Sequence, residues 1–160
     1  MYGFDGDFTD KDERIVKEFV RVINEIIGYD FFSYSTNSEA ITIPIELREC
    51  LSRRPYGDAW GTGSCAGYSG FYNLKEESIW IDADLYGLER DHVLIHELGH
   101  SLGLHHSSCI KSGLMSTENV TKNNSVNFTD FEIALIKFLY TPLETIIDTC
   151  LLYTSPSPRD

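Results

Sequence analysis

The chain has 160 residues, 42% apolar and 24% charged, which suits one ordinary globular domain with a real core. Its formal net charge of -12 argues against a nucleic-acid partner, because phosphate recognition needs clustered Lys and Arg. No segment approaches the apolar length of a transmembrane helix, so no membrane partner is expected; the chain is expected to be a monomer.

The chain opens on Met1-Tyr-Gly-Phe-Asp-Gly-Asp7, acidic and polar with no apolar signal-peptide core, which reads as a cytosolic protein or a truncated start. A helix follows, in which Ile15, Phe19, Val22, Ile23 and Ile26 recur at helical spacing up to Gly28, and Asp10 and Glu13 are placed to form a capping box. Residues 30–35 and 39–47 read as strands, the second with Ile41, Ile43 and Ile45 on one face and Pro44 weakening its later half. Turn formers without a period fill 48–63. Two short strands are expected at 65–72 and 78–83, with Ile79 and Ile81 facing one way and Trp80 the other. A second helix begins near Leu88 to Asp91 and is anchored by Val93, Ile95, Leu98 and Leu102. After a polar loop, Thr129-Asp-Phe-Glu132 forms a capping box for a last helix reaching about Tyr140, before Pro142.

Residues 150–160 resemble the translation of a transposon adapter used in sequencing and are set aside as a tail. That leaves Cys50, Cys65 and Cys109, an odd number that allows one disulfide or three free thiols. Glycosylation sequons at Asn119, Asn123 and Asn127 matter only in a eukaryotic secretory setting.

The second helix carries the chemistry. His96-Glu-Leu-Gly-His100-Ser-Leu-Gly103-Leu-His105-His106 matches H-E-x-x-H-x-x-G-x-x-H, a coincidence on the order of 10⁻⁵ at this composition. Four residues advance a helix by roughly 400°, so His96 and His100 share a face and reach one ion. Glu97 lies between them and suits a base for water at the ion's open side. Gly103 is free to take a positive φ, ending the helix and bringing in His106 as the third nitrogen. The spacing prefers His106 over its neighbour His105, which reads as an exposed loop residue. His92, one turn before His96, reads as a surface residue or a support behind the ligands. Three histidines and an open position describe a catalytic site, because structural zinc sites close with four ligands.

This motif, followed nine residues later by Met115 in Gly113-Leu-Met-Ser116, resembles the metzincin metalloproteases, and most closely the matrixins. Astacin-like and serralysin-like enzymes carry a tyrosine two residues after the Met, where Thr117 stands here. The resemblance implies an α+β zincin domain over 1–149, with a twisted mixed sheet and two helices in an upper subdomain of about 1–103. A lower subdomain of about 104–149 would hold the Met115 turn and the last helix, and 2–4 would be a reduced first strand. It further implies an edge strand near 65–72 that an extended peptide joins by backbone hydrogen bonds. Tyr68, Phe71 and Tyr72 would line the cleft or pack in the core. Met115 would pack below the ligands, and the protein would be extracellular or secreted. Asp82 and Asp84 stand where acidic residues of matrixins help hold Ca2+, although a solvated strand end explains them as well. Neither a cysteine-switch segment nor the spacing of a second, structural zinc site is found.

The expected function is that of a zinc (Zn2+) metalloendopeptidase acting on a peptide or protein substrate. Zinc on the three histidines would acidify a water, and Glu97 would take its proton and pass it to the leaving amine, with no nucleophilic Ser or Cys required. An inactive zinc-containing module that binds peptides without cutting them shares the same ligands, and a hydrolase of cell-wall or modified peptide amides shares the same site.

Overall fold

The computed structural model describes residues 1–49, 69–106, 113–116, 126 and 128–142. Their elements run β1 (Tyr2–Asp5), α1 (Asp10–Ile27), a 3-10 turn (Ser38–Ala40), β2 (Ile43–Arg48), β3 (Gly70–Asn73), β4 (Ser78–Asp82), α2 (Gly87–Ser101) and α3 (Asp130–Tyr140). The strands form one sheet in the order β1-β2-β4-β3, parallel except for β3, which runs antiparallel at the edge beside β4. The class is α+β, as the sequence led us to expect. Most of the 48–63 loop, the first part of the 65–72 strand, Tyr68, the four cysteines, the sequon asparagines, Thr117 and the 150–160 tail lie outside the described residues.

The sheet alternates as its strand period requires: Ile45, Ile79 and Ile81 are fully buried, while Trp80 faces the other way beneath the Arg48 guanidinium, 4.9 Å from its ring centre. Val16, Phe19 and Ile23 of α1 and Leu94, Ile95 and Leu98 of α2 complete the same core. Burial of each such side chain contributes about 1.5–3 kcal/mol, so the sheet face is what seats α2. Pro44 lies within β2 opposite Gly3 of β1, and pairing with β4 begins only at Ile45. The proline therefore stands where the strand has a single named neighbour, and the later half continues unbroken to Arg48.

Three expectations are corrected. The box that starts α1 uses Thr9 and Asp12 instead of Asp10 and Glu13: the Asp12 carboxylate accepts the Thr9 N–H at 2.8 Å, and the Thr9 hydroxyl accepts the Asp12 N–H at 3.3 Å. Asp12 is also reached by Arg90 of α2 at 3.0 Å, a tertiary pairing invisible to local spacing. Residues 30–35 are not a strand, apart from an isolated bridge between Tyr34 and Tyr2. There the Asn24 side chain accepts the N–H groups of Phe31 and Phe32 and donates to the Phe32 carbonyl, satisfying that backbone from α1. Residues 38–40 form a 3-10 turn capped by Asn37, so the expected strand at 39–47 starts four residues late.

The ends of α2 are held from several directions. At its start, Arg90 pairs with Asp12 and Lys11 pairs with the buried Asp91. At its end, the Tyr2 and Ser101 hydroxyls share a hydrogen bond of 2.9 Å, and the Tyr140 hydroxyl donates to the Leu102 carbonyl at 3.1 Å. Gly103 takes φ +84, a conformation that side-chain-bearing residues rarely adopt, and turns the chain beyond the helix.

Candidate metal centre and active site

On α2, His96 and His100 stand one turn apart, and the turn at Gly103 carries His106 back to them. Nε2 of His106 lies 2.9 Å from Nε2 of His96 and 3.1 Å from Nε2 of His100. The remaining nitrogens of the two helical histidines are committed to backbone: Nδ1 of His96 donates to the Leu114 carbonyl at 2.9 Å and Nδ1 of His100 to the Leu104 carbonyl at 2.8 Å. These bonds select the tautomer whose Nε2 carries a lone pair, and they fix both ring planes. Ligands about 2.0–2.1 Å from a tetrahedral zinc stand about 3.3 Å from one another, so the constellation fits that ion after an outward adjustment of a few tenths of an ångström. Burial and the neighbouring imidazoles lower the His96 pKa to about 4 despite the Leu114 bond, and burial lowers that of His100. Both rings are therefore neutral and able to ligate at neutral pH.

Glu97 is 6% exposed and accepts the Tyr72 backbone N–H. Burial raises its pKa to about 7, more than that bond lowers it. With His92, Val93, His96, His106, Ser69, Gly70 and Ser116, it lines a cavity of about 220 Å³ between α2 and the β3 edge strand. His105 is exposed and stays outside the cluster. His92 is not at the surface, being 9% exposed against the first turn of the site. Asp82 is not a solvated strand end either: it is fully buried, and its carboxylate accepts the Asp84 N–H at 2.9 Å. Of the three aromatics expected at the cleft or core, Tyr72 packs against the core and Phe71 is 42% exposed, its ring 6.0 Å from that of Trp80.

The support beneath the site draws on residues the spacing did not single out. A Cβ on Gly99 would fall 2.5 Å from Sδ of Met115, so the glycine lets that methionine, 1% exposed, seat directly under the helix. The Glu132 carboxylate accepts the Met115 N–H at 2.9 Å as well as the Thr129 N–H at 2.7 Å, so the cap of α3 also fixes the 113–116 turn. The matrixin family model matches residues 8–141 of this chain, from before α1 to the end of α3. The chain belongs to the matrixin family.

Matrixins are zinc metalloendopeptidases, and among the described residues of this matrixin His96, His100 and His106 form a group that could hold the metal. Among curated relatives, matrilysin of Rattus norvegicus is 29% identical over 135 residues, covering 80% of this chain and 50% of that protein. Matrilysin of Mus musculus is 27% identical over 145 residues, covering 84% and 53%. The chain thus spans about half the length of these relatives. No helix among the described residues is long and apolar enough to cross a membrane.

Two properties of this matrixin follow from the packing around Glu97. A Cβ on Gly70 would lie 2.5 Å from Cγ1 of Val93 and 2.8 Å from Cγ of Glu97. Gly70→Ala is expected to cost about 1–3 kcal/mol in a urea unfolding titration, because strand and helix must move apart. The second property is a pH dependence of the metal-free protein. Below about 4.5 the Glu97 carboxyl is protonated in both states; between 4.5 and 7 the unfolded chain releases a proton that the folded chain keeps, so stability falls as pH rises. Glu97→Gln removes this loss, while His96 acts alike in both proteins. The variant is expected to be more stable at pH 8 by a figure on the order of 3 kcal/mol, with the gap closing near pH 4.

Proposed function

We propose that this matrixin is an endopeptidase that hydrolyses peptide bonds of peptide or protein substrates, with His96, His100 and His106 as zinc ligands and Glu97 as general base and then general acid. The observation that supports this best is the convergence of three Nε2 atoms whose rings are fixed through Nδ1, beside a buried carboxyl on the same helix. Zinc, when bound, supplies Lewis acidity that lowers the pKa of water and draws charge from the scissile carbonyl. Glu97 takes the proton on its carboxylate and returns it to the leaving amine; a nearby dication favours the ionised form this role needs. The surrounding wall of Val93 and Gly70 keeps that carboxylate poorly hydrated, which strengthens its hold on the proton.

The substrate lies extended along β3, between an upper unit of 1–103 and a lower unit of 104–149. Support comes from the position of β3 at the sheet edge and from the cavity that opens between it and α2. Met115 and Gly103 act structurally, as the packed floor and the turn that delivers His106. Membership of the matrixin family supports an extracellular enzyme, which we read as a monomer. The test is incubation with a quenched fluorescent peptide library. Cleavage at internal bonds, abolished by a chelator and restored by zinc, is expected; zinc-loaded protein that binds peptides and leaves them whole would show the non-cutting module instead.

A further inference from the structure

Where the ends of α1 and α3 meet, three aromatic rings stand together at the surface. Phe31 is 58% exposed, its ring centre 6.1 Å from that of Tyr29 and 5.7 Å from that of Tyr140. Both exposed residues are held in place: the Tyr29 hydroxyl donates to the Tyr140 carbonyl at 2.6 Å, and the Phe31 N–H donates to the Asn24 side chain at 3.2 Å. Rings fixed in this way meet a partner without the cost of ordering them first. Tyr29 also forms one wall of a groove of about 470 Å³, lined further by Arg21, Asn24, Glu25, Gly28 and Asp30.

The charges around the rings choose the occupant. α1 ends at this groove with no basic residue in its last turn, and among the described residues no N–H reaches the carbonyls of Glu25, Ile26 and Ile27. A helix of 18 residues thus presents its negative end there. Arg21, the one cation among the described residues of the lining, is committed to Glu18 at 2.6 and 2.8 Å and to Glu25 on its other side. Asp30 adds a further exposed carboxylate. An acidic group is repelled from such a groove, whereas a guanidinium or ammonium meets an aromatic face, carboxylates and helix carbonyls together. The net charge of -12 favours the approach of a basic partner as well. We infer that this groove is a docking site for a segment of a partner protein that carries an arginine or lysine beside an apolar residue, the cation entering the groove and the apolar side chain covering Phe31. None of these residues belongs to the metal centre, so the inference stands whether or not the chain cuts peptides.

The probe is the blocked tripeptide acetyl-Leu-Arg-Leu-amide, titrated into the zinc-loaded, isotope-labelled chain while backbone amide shifts are followed by NMR. Its counterpart with citrulline in place of arginine keeps the shape and loses the charge. Shifts at Gly28, Tyr29 and Phe31 are expected, with the arginine peptide bound about tenfold more tightly than the citrulline one. Asp30→Lys should abolish that preference, and Phe31→Ala should weaken both peptides by removing the apolar contact. Asp30→Asn, which should reduce the preference, serves if the lysine variant does not fold. Glu76→Lys makes the same charge change at an exposed turn elsewhere on the chain and should leave the preference intact. Shifts confined to the histidine cluster, equal affinity for the two peptides, or an equal loss in the Glu76→Lys protein would overturn the proposal.

Discussion

Glu97→Gln is expected to lower kcat by about 10³–10⁴ while leaving zinc content and KM close to those of the parent. Glutamine keeps the shape of the side chain and can still meet the Tyr72 backbone, but it cannot accept the proton that attack on the carbonyl releases. The split between kcat and KM is the informative part. A matching fall in peptide affinity would mean that Glu97 holds substrate, and an unchanged kcat would remove it from the chemistry. Steady-state kinetics on one cleaved library peptide, with zinc counted in both proteins, gives both numbers.

The second large effect is expected from His100→Ala. Its Nε2 is one of three that converge, and its Nδ1 ties the ring to the Leu104 carbonyl in the turn that leads to His106. Removing it takes away a proposed ligand and loosens the segment that carries another. The loss in zinc affinity should exceed the 10–100-fold typical of losing an outer hydrogen-bond partner, and hydrolysis should vanish with the metal. Competition with a coloured chelator measures the affinity; retention of tight zinc would show that the ion sits elsewhere. His105→Ala, on the exposed neighbour outside the cluster, is the matched control and should leave zinc affinity unchanged.

What the sequence made legible was local. The spacing of the zinc motif, the Thr129–Glu132 box and the alternation of Ile79 and Ile81 are fixed by residues within a turn or two of each other, and the helix or strand period translates them directly into faces. The misses turn on side chains that the spacing did not single out, some near in the chain and one far along it. Asp12 caps α1 in place of Glu13 with Arg90, 78 residues away, on the same carboxylate. Residues 30–35 look like a strand because they are aromatic, yet Asn24 takes their backbone groups first.

The site shows the same division. Which residues converge was readable from one helix and one glycine; why they hold their geometry was not. Gly99 against Met115, Gly70 against Val93 and Glu97, and Glu132 against the Met115 N–H each join segments that no periodicity links. The placing of His92 in the cavity was hidden for a related reason. Helical spacing puts it on the face of His96, but the depth of that face is set by β3, whose approach depends on a glycine at position 70.

The central claim is that one zinc ion on three histidines turns this fold into a peptidase. The most direct measurement is a titration of the metal-free chain with zinc, following the initial rate of peptide cleavage and the bound metal together. A rate that rises in proportion to bound zinc and levels off at one equivalent per chain is the predicted result. Saturation at one equivalent without cleavage of any peptide, or cleavage that proceeds undiminished without zinc, would contradict it.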